Sequence, residues 1–241
     1  SRNVGGKTFE SLFSLINPEI ISELKKNRYD AILIHGYIHL TSWIAIAGAL
    51  FTKTPIIMKG DAYLLNYRNS FVKIIKKIAL TRLFKKISAF LGLCKTNIDY
   101  YKHYGVPPER IFFTPYAVNN DFFQNQYKKF IGKKKILKKE LNLNPKLPVI
   151  LYSAKLIERK RPFDLLRAFK MLQKEFGDKA QLLFVGDGPE RNKLENYARE
   201  SKITDVKFFG FKKQNELPKF FAAADIFIQP SAIEIWGLAT N

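Results

Sequence analysis

The chain has 241 residues, 46% of them apolar, 14% aromatic and 26% charged, a composition that excludes a disordered or low-complexity protein. A single cysteine, Cys94, excludes an intramolecular disulfide framework, and three histidines (His35, His39, His103) give no basis for a metal site. Lys+Arg 41 against Asp+Glu 21 leaves a net charge of +20, enough to attract phosphates, nucleic acid or an anionic lipid face.

Lysine outnumbers arginine, 31 to 10, so the surplus is point charge rather than the planar forks that read base edges. No run of about 18 apolar residues marks a membrane-spanning helix. The opening SRNVGGKTFESLF lacks the order of a signal peptide, and a cytoplasmic location is the default expectation.

Short apolar runs alternate with longer helical stretches, the pattern of a parallel sheet covered by helices. In the first half, strands are expected at 31–35, 55–59, 88–93 and 111–115, and helices at 9–26, 40–51, 70–86 and 97–104. In the second half, strands are expected at 148–153, 181–185, 205–209 and 225–229, with helices at 163–176, 190–201 and 215–223. Pro162 and Pro189 stand where a helix begins and a missing N–H costs nothing.

Residues 119–148 show no strand pattern. Seven of the twelve residues from 128 to 139 are lysine, with no acid among them. The stretch reads as the connection between two domains, 1–143 and 144–241, with one short helix near 133–141. Both ends read as cut, so a fragment is expected.

Residues 62–98 contain no acid and eight basic side chains. Such a stretch suits an anionic membrane surface. The phase of the 70–86 helix complicates this. Phe71, Ile74, Ile75 and Ile78 share one face, whereas Leu80, Leu83, Phe84 and Ile87 share the opposite one. A break near Leu80, or core on two sides, is the expectation.

In a doubly wound sheet, ligands gather at the C-terminal ends of the strands. After strand 148–153, SAKLIERKRP sets Lys155, Arg159, Lys160 and Arg161 beside a helix start, a combination suited to a diphosphate; exposed loop charge is the plain alternative. After strand 181–185, Gly186-Asp187-Gly188-Pro189 reads as a tight turn. After strand 225–229, PSAIEIWGL presents Glu234 between apolar neighbours. His35 ends a strand and either lines a cleft or is a satisfied strand-end histidine.

Five ordered stretches, YSAKLIERKRPFDLLRAF, LLFVGDGPERNKL, VKFFGF, ELPKFFAAADIFIQPS and EIWGL, resemble the donor domain of retaining glycosyltransferase family 4 (group 1 glycosyltransferases, GT-B fold). YDAILIHG, residues 91–105 and VPPERIFFTPYAVNNDFF match the acceptor side more loosely. The resemblance implies an α/β GT-B protein, with two Rossmann-like, doubly wound parallel-sheet domains on either side of a cleft, both truncated here. It implies a hexosyltransferase that moves a sugar from a nucleoside-diphosphate-sugar to a glycan or lipid-linked hydroxyl with retention. Such an enzyme needs no metal and no cofactor beyond the donor, and would act in cell-surface polysaccharide or glycolipid synthesis, with peripheral contact at an anionic membrane.

By the same resemblance, Lys155 and Lys160 grip the donor diphosphate and Glu234 approaches the transferred sugar. Gly237 and Leu238 lend backbone contacts to the donor, and Phe211 and Lys212 lie against the base. Asp61 and His35 are the acceptor-side candidates. The chain also departs from the family: Ala154-Lys155 replaces Gly-Arg and Lys160-Arg161 replaces Lys-Gly. The histidine that many relatives carry after strand 55–59 is missing, Asp61 being the nearest polar residue. The partner of Glu234 in the family's two-glutamate motif would stand one position past Asn241. A glycine-rich first loop is absent unless Gly5-Gly6 is its remnant. Three other readings remain open: a basic nucleic-acid binder, for which no recognition motif exists, a catalytically inactive nucleotide-sugar or polyanion-binding module, and an epimerase of the same fold.

Overall fold

A computed structural model describes residues 16–64, 70–234 and 236–240. Gly5-Gly6, the first part of the 9–26 helix and Asn241 lie outside the described residues. The chain divides after Tyr116 into two compact units.

The first unit runs α1 (Glu19–Lys26), β1 (Ile32–His35), α2 (Leu40–Thr52), β2 (Ile56–Lys59), α3 (Ser70–Lys85), β3 (Ala89–Gly92), α4 (Lys95–His103) and β4 (Ile111–Phe113). Its strands pair in parallel in the order β1-β2-β3-β4. Among the described residues this sheet therefore advances in one direction only. Ile34, Met58 and Phe90 meet Phe84 of α3 and Tyr100, Tyr101 and Tyr104 near α4 in one core. The 9–26 helix starts later than expected within the described part, because Pro18 caps α1 and Ile16-Asn17 precede it outside the helix.

Helix α3 is unbroken, which corrects the expected break near Leu80. It has core on one side only. Leu80 and Phe84 are buried, whereas Ile74, Ile75 and Ile78 are exposed.

The second unit runs α5 (Asn120–Phe130), α6 (Lys134–Glu140), β5 (Val149–Ser153), α7 (Pro162–Phe176), β6 (Gln181–Val185), α8 (Arg191–Glu200), β7 (Val206–Phe208), α9 (Leu217–Ala223) and β8 (Ile226–Phe227). The order is β7-β6-β5-β8, all parallel. The chain steps outward from β5 to β7 and then returns to the other side of β5, the reversal that defines a doubly wound sheet. Both faces are covered, which is why β5 and β6 read as continuous apolar runs. Ile150, Tyr152, Leu182 and Phe184 pack on α7 and α8. Val149, Leu151, Leu183 and Val185 pack on α6 and α9.

The lysine-rich segment is therefore not a bare connection. It contains two helices where one was expected, and α6 inserts Leu137 into the second core. That moves the division from 143/144 to after Tyr116. Asn119 starts α5 by accepting the Phe122 N–H at 2.9 Å. Lys138 is buried, and its ammonium donates to Asp225 Oδ2 and to the Leu147 carbonyl, each at 2.8 Å. Pro162 opens α7 as expected, but Pro189 lies in a turn before α8 rather than within its first turn.

Candidate functional site

The loops after β5 and β8 leave the sheet at the strand-order reversal, where neighbouring loops diverge and open a crevice. Here they are tied together. Arg159 donates to the Ile233 carbonyl at 3.0 Å, and the Ala232 N–H donates to the Arg159 carbonyl at 2.9 Å. Beside this clasp, the Lys160 ammonium forms an ion pair with Glu234 Oε2. The same oxygen accepts from Gln229 Nε2 and, at 3.2 Å, from Ser231 Oγ. Burial works to raise the Glu234 carboxyl, but Lys160, Gln229 and Ser231 outweigh it and hold it below the ordinary glutamate range. Glu234 is thus a fixed anion.

Lys155 lies on the same β5 loop, exposed, with no ion pair among the described residues. Tyr152 sits under it and donates its hydroxyl to the Lys155 carbonyl at 3.0 Å. Burial, then the charge of Glu234, pushes the Tyr152 hydroxyl up, so it remains a neutral donor.

The GDG turn supports this loop from the side. Leu156 N–H donates to the Asp187 carbonyl at 2.9 Å, and Glu190 N–H to the Leu156 carbonyl at 3.1 Å. Gly186 has φ +138° and Gly188 +159°. A Cβ on the first would stand 2.0 Å from the Ala154 carbonyl oxygen, and on the second 2.4 Å from that of Leu156. The glycines are required for close backbone approach, so the reading of a tight turn holds, with the added role of seating the lysine loop.

Gly237 also has positive φ, +70°, and a Cβ there would lie 3.3 Å from Glu234 Cγ. It follows directly behind the carboxylate, and Leu238 beside it is exposed. Phe211 and Lys212 are elsewhere. They leave the sheet after β7, two strands from β5, or about 10 Å away. Phe211 is exposed and Lys212 pairs with Glu216 at 3.8 Å. Lys212, Glu216, Phe130, Phe209 and Phe220 line a depression of about 410 Å³ beside α5 and α9. Glu234 and Lys160 are not part of it.

In the first unit, His35 is the last residue of β1, and Asp61 stands just past the C-terminal end of the adjacent β2. His35 is exposed and in register with Lys59. Asp61 accepts from the Tyr116 hydroxyl at 3.0 Å, and the Lys59 ammonium sits 4.9 Å over the Tyr116 ring. Sequence reading missed Gln229, Ser231 and Tyr116. None carries a motif; each is identified only by what it touches. Among the described residues, no group of three or more His, Cys, Asp or Glu side chains converges as a metal site would require.

Two Rossmann-like parallel-sheet units, one with a cation–carboxylate pair at its strand-order reversal, have the architecture of GT-B glycosyltransferases. The model of the family "Glycosyl transferases group 1" matches residues 133–240, the part that contains β5 to β8. No curated protein matches the sequence. Solved structures share the fold at low identity. Anabaena HepE in complex with UDP and glucose is 16% identical with a TM-score of 0.65, over 92% of this chain and 59% of that one. Sucrose-phosphate synthase from Thermosynechococcus elongatus is 17% identical with a TM-score of 0.65, over 99% and 59%. A glycosyltransferase from Rickettsia africae is 18% identical with a TM-score of 0.61, over 96% and 59%. The chain thus spans 59% of the length of each.

Proposed function

We propose that the protein transfers a hexosyl group from a nucleoside-diphosphate-sugar to a hydroxyl of a glycan or lipid-linked acceptor. Transfer retains the anomeric configuration, needs no divalent metal, and serves the synthesis of cell-surface polysaccharide or glycolipid. The observation that carries this reading is the Lys160–Glu234 pair at the β5/β8 reversal. A departing diphosphate gains negative charge as the sugar gains positive charge, and a site must answer both. Lys160 and the exposed Lys155 place cations where the diphosphate charge develops, in the role a metal ion would otherwise fill. Glu234, held ionised, accepts hydrogen bonds from sugar hydroxyls and steadies the oxocarbenium-like centre without acting as a covalent nucleophile. Gly237 and Leu238 contribute backbone contacts to the donor, Phe211 and Lys212 contact the base, and His35 and Asp61 act on the acceptor side.

The structure of HepE with UDP and glucose makes UDP the first nucleotide to test. Thermal-shift titration with UDP, GDP, ADP and pyrophosphate should raise Tm selectively with one nucleotide. Lys155→Ala with Lys160→Ala should abolish that rise while leaving heparin binding within about twofold. Equal shifts from pyrophosphate and every nucleotide would reduce the site to generic anion binding and overturn the reading.

A further inference from the structure

Past the C-terminal ends of β6 and β7 the two chains stay paired for a further step. Phe209 N–H donates to the Phe184 carbonyl at 2.9 Å, and Gly186 N–H to the Gly210 carbonyl at 2.8 Å. At Gly210 the chain turns away, with φ +68°. The Arg191 side chain, from the first turn of α8, covers that turn. A Cβ on Gly210 would stand 2.9 Å from Arg191 Nη1, so the guanidinium occupies the space that a side chain at this position would fill. Its orientation is fixed by two carboxylates: Nη1 donates to Asp187 Oδ2 at 3.2 Å and Nε to Glu195 Oε1 at 2.8 Å. Asp187 is held in turn, its Oδ1 accepting the Gly188 N–H at 2.8 Å.

The guanidinium and both carboxylates are partly exposed, and ion pairs of that kind add little to stability. What the cluster holds is the segment that follows Gly210. Phe211 is 73% exposed and belongs to neither core cluster of the second unit. Beyond it, Lys213 N–H donates to Glu216 Oε2 at 2.9 Å. Phe211 and Lys212 therefore lie between two fixed points, Gly210 and Lys213. A loop that is fixed before its ligand arrives does not have to be ordered by binding, and an exposed ring on such a loop is a ready surface for stacking. We infer that Arg191 is a positioning residue for nucleotide recognition: by holding Asp187 of the GDG turn against the Gly210 turn, it presents the Phe211 ring to the base of the donor. The inference rests on the proposed contact of Phe211 with the base.

The test is isothermal titration calorimetry with the nucleoside diphosphate that the wild type selects and with pyrophosphate, which has no base. Phe211→Ala should weaken nucleotide binding by about tenfold, the scale of one base–aromatic stack. Arg191→Met should weaken it by about fivefold, with pyrophosphate binding within about twofold of wild type and Tm close to the wild-type value. In the Phe211→Ala background, Arg191→Met should add less than about twofold, because a residue that acts through the ring has nothing left to position. Full additivity of the two losses would make Arg191 an independent structural residue and overturn the assignment. So would wild-type nucleotide affinity in Arg191→Met, or equal losses of nucleotide and pyrophosphate, which would put the guanidinium on the phosphates. Wild-type affinity in Phe211→Ala, or a wild type that binds no nucleotide, would overturn the base contact itself and the positioning role with it. Failure of that reading is thus told apart from failure of Arg191 alone.

Discussion

Lys160 and Glu234 stand 74 positions apart in sequence and form one ion pair in the fold, with Gln229 and Ser231 bonded to the same carboxylate oxygen. The pair means that each residue tunes the other. Removing one leaves a partly buried charge whose counter-charge is gone.

The two single substitutions should therefore act on nucleotide binding in opposite senses. Lys160→Ala should weaken UDP binding by about tenfold or more, the scale of one charge-assisted hydrogen bond. Glu234→Ala should leave it unchanged or tighten it, since the Lys160 ammonium is then released to the phosphates. Isothermal titration calorimetry on both variants checks this. A large loss in Glu234→Ala would put the carboxylate on the nucleotide rather than on the sugar.

Alanine at Gly186 or Gly188 should cost about 2 kcal/mol or more, from positive φ and from contact with the Ala154 or Leu156 carbonyl. It should also disturb the Lys155 loop, so that the Tm rise on adding nucleotide shrinks more than stability alone predicts. Urea unfolding beside a thermal-shift titration separates the two effects. Alanine at Gly132, which has positive φ but nothing within 4 Å of its added Cβ, is the control for backbone strain alone.

Asp225 gives the fold an acid-sensitive clasp. Burial opposes its charge, but Lys134, Lys138 and the Val149 N–H hold its carboxyl down to about 2, from an ordinary 3.8. The folded value lies below the unfolded one, so the stabilisation is fully present above about pH 4. It is lost as pH falls from there through about 2. Asp225→Ala should flatten this part of the stability–pH profile and cost about 3–5 kcal/mol at neutral pH, because Lys138 then keeps a buried charge with only the Leu147 carbonyl. Lys138→Met should cost less. The reverse order in chemical denaturation would mean that α6 is held by Leu137 packing alone.

Asn97 is buried and binds two backbone groups: its Oδ1 accepts from the Leu93 N–H at 3.0 Å and its Nδ2 donates to the Ala62 carbonyl at 2.8 Å. Asn97→Leu should strand both and cost about 2–4 kcal/mol. It should also raise hydrogen exchange in the loop that carries Asp61. Stability loss without faster exchange there would show that the loop is held by the Tyr116–Asp61 bond instead.

All eight strands were legible in the sequence because each is a short run of mostly apolar residues, which is a local property, although only β5 and β6 are buried almost throughout. Helix positions were legible for the same reason where one face is apolar, as in α7 with Leu165, Leu166 and Phe169. Helix α5 was not, since none of its residues is fully buried and its start rests on Asn119 alone. Lys155, Lys160 and Glu234 were singled out by order and spacing, but nothing local marked Gln229 or Ser231 as partners of the carboxylate.

Local chemistry, then, was enough to fix which segments become strands, which loops carry charge, and that helix α3 has two opposed apolar stripes. Only tertiary structure decided the strand order β7-β6-β5-β8, and with it the meeting of Lys160 with Glu234 and of Lys138 with Asp225. It also decided which α3 stripe enters the core. The reason is that these contacts join residues brought together by strand pairing across 74 and 87 positions, and sequence periodicity carries no information about which distant segments become neighbours.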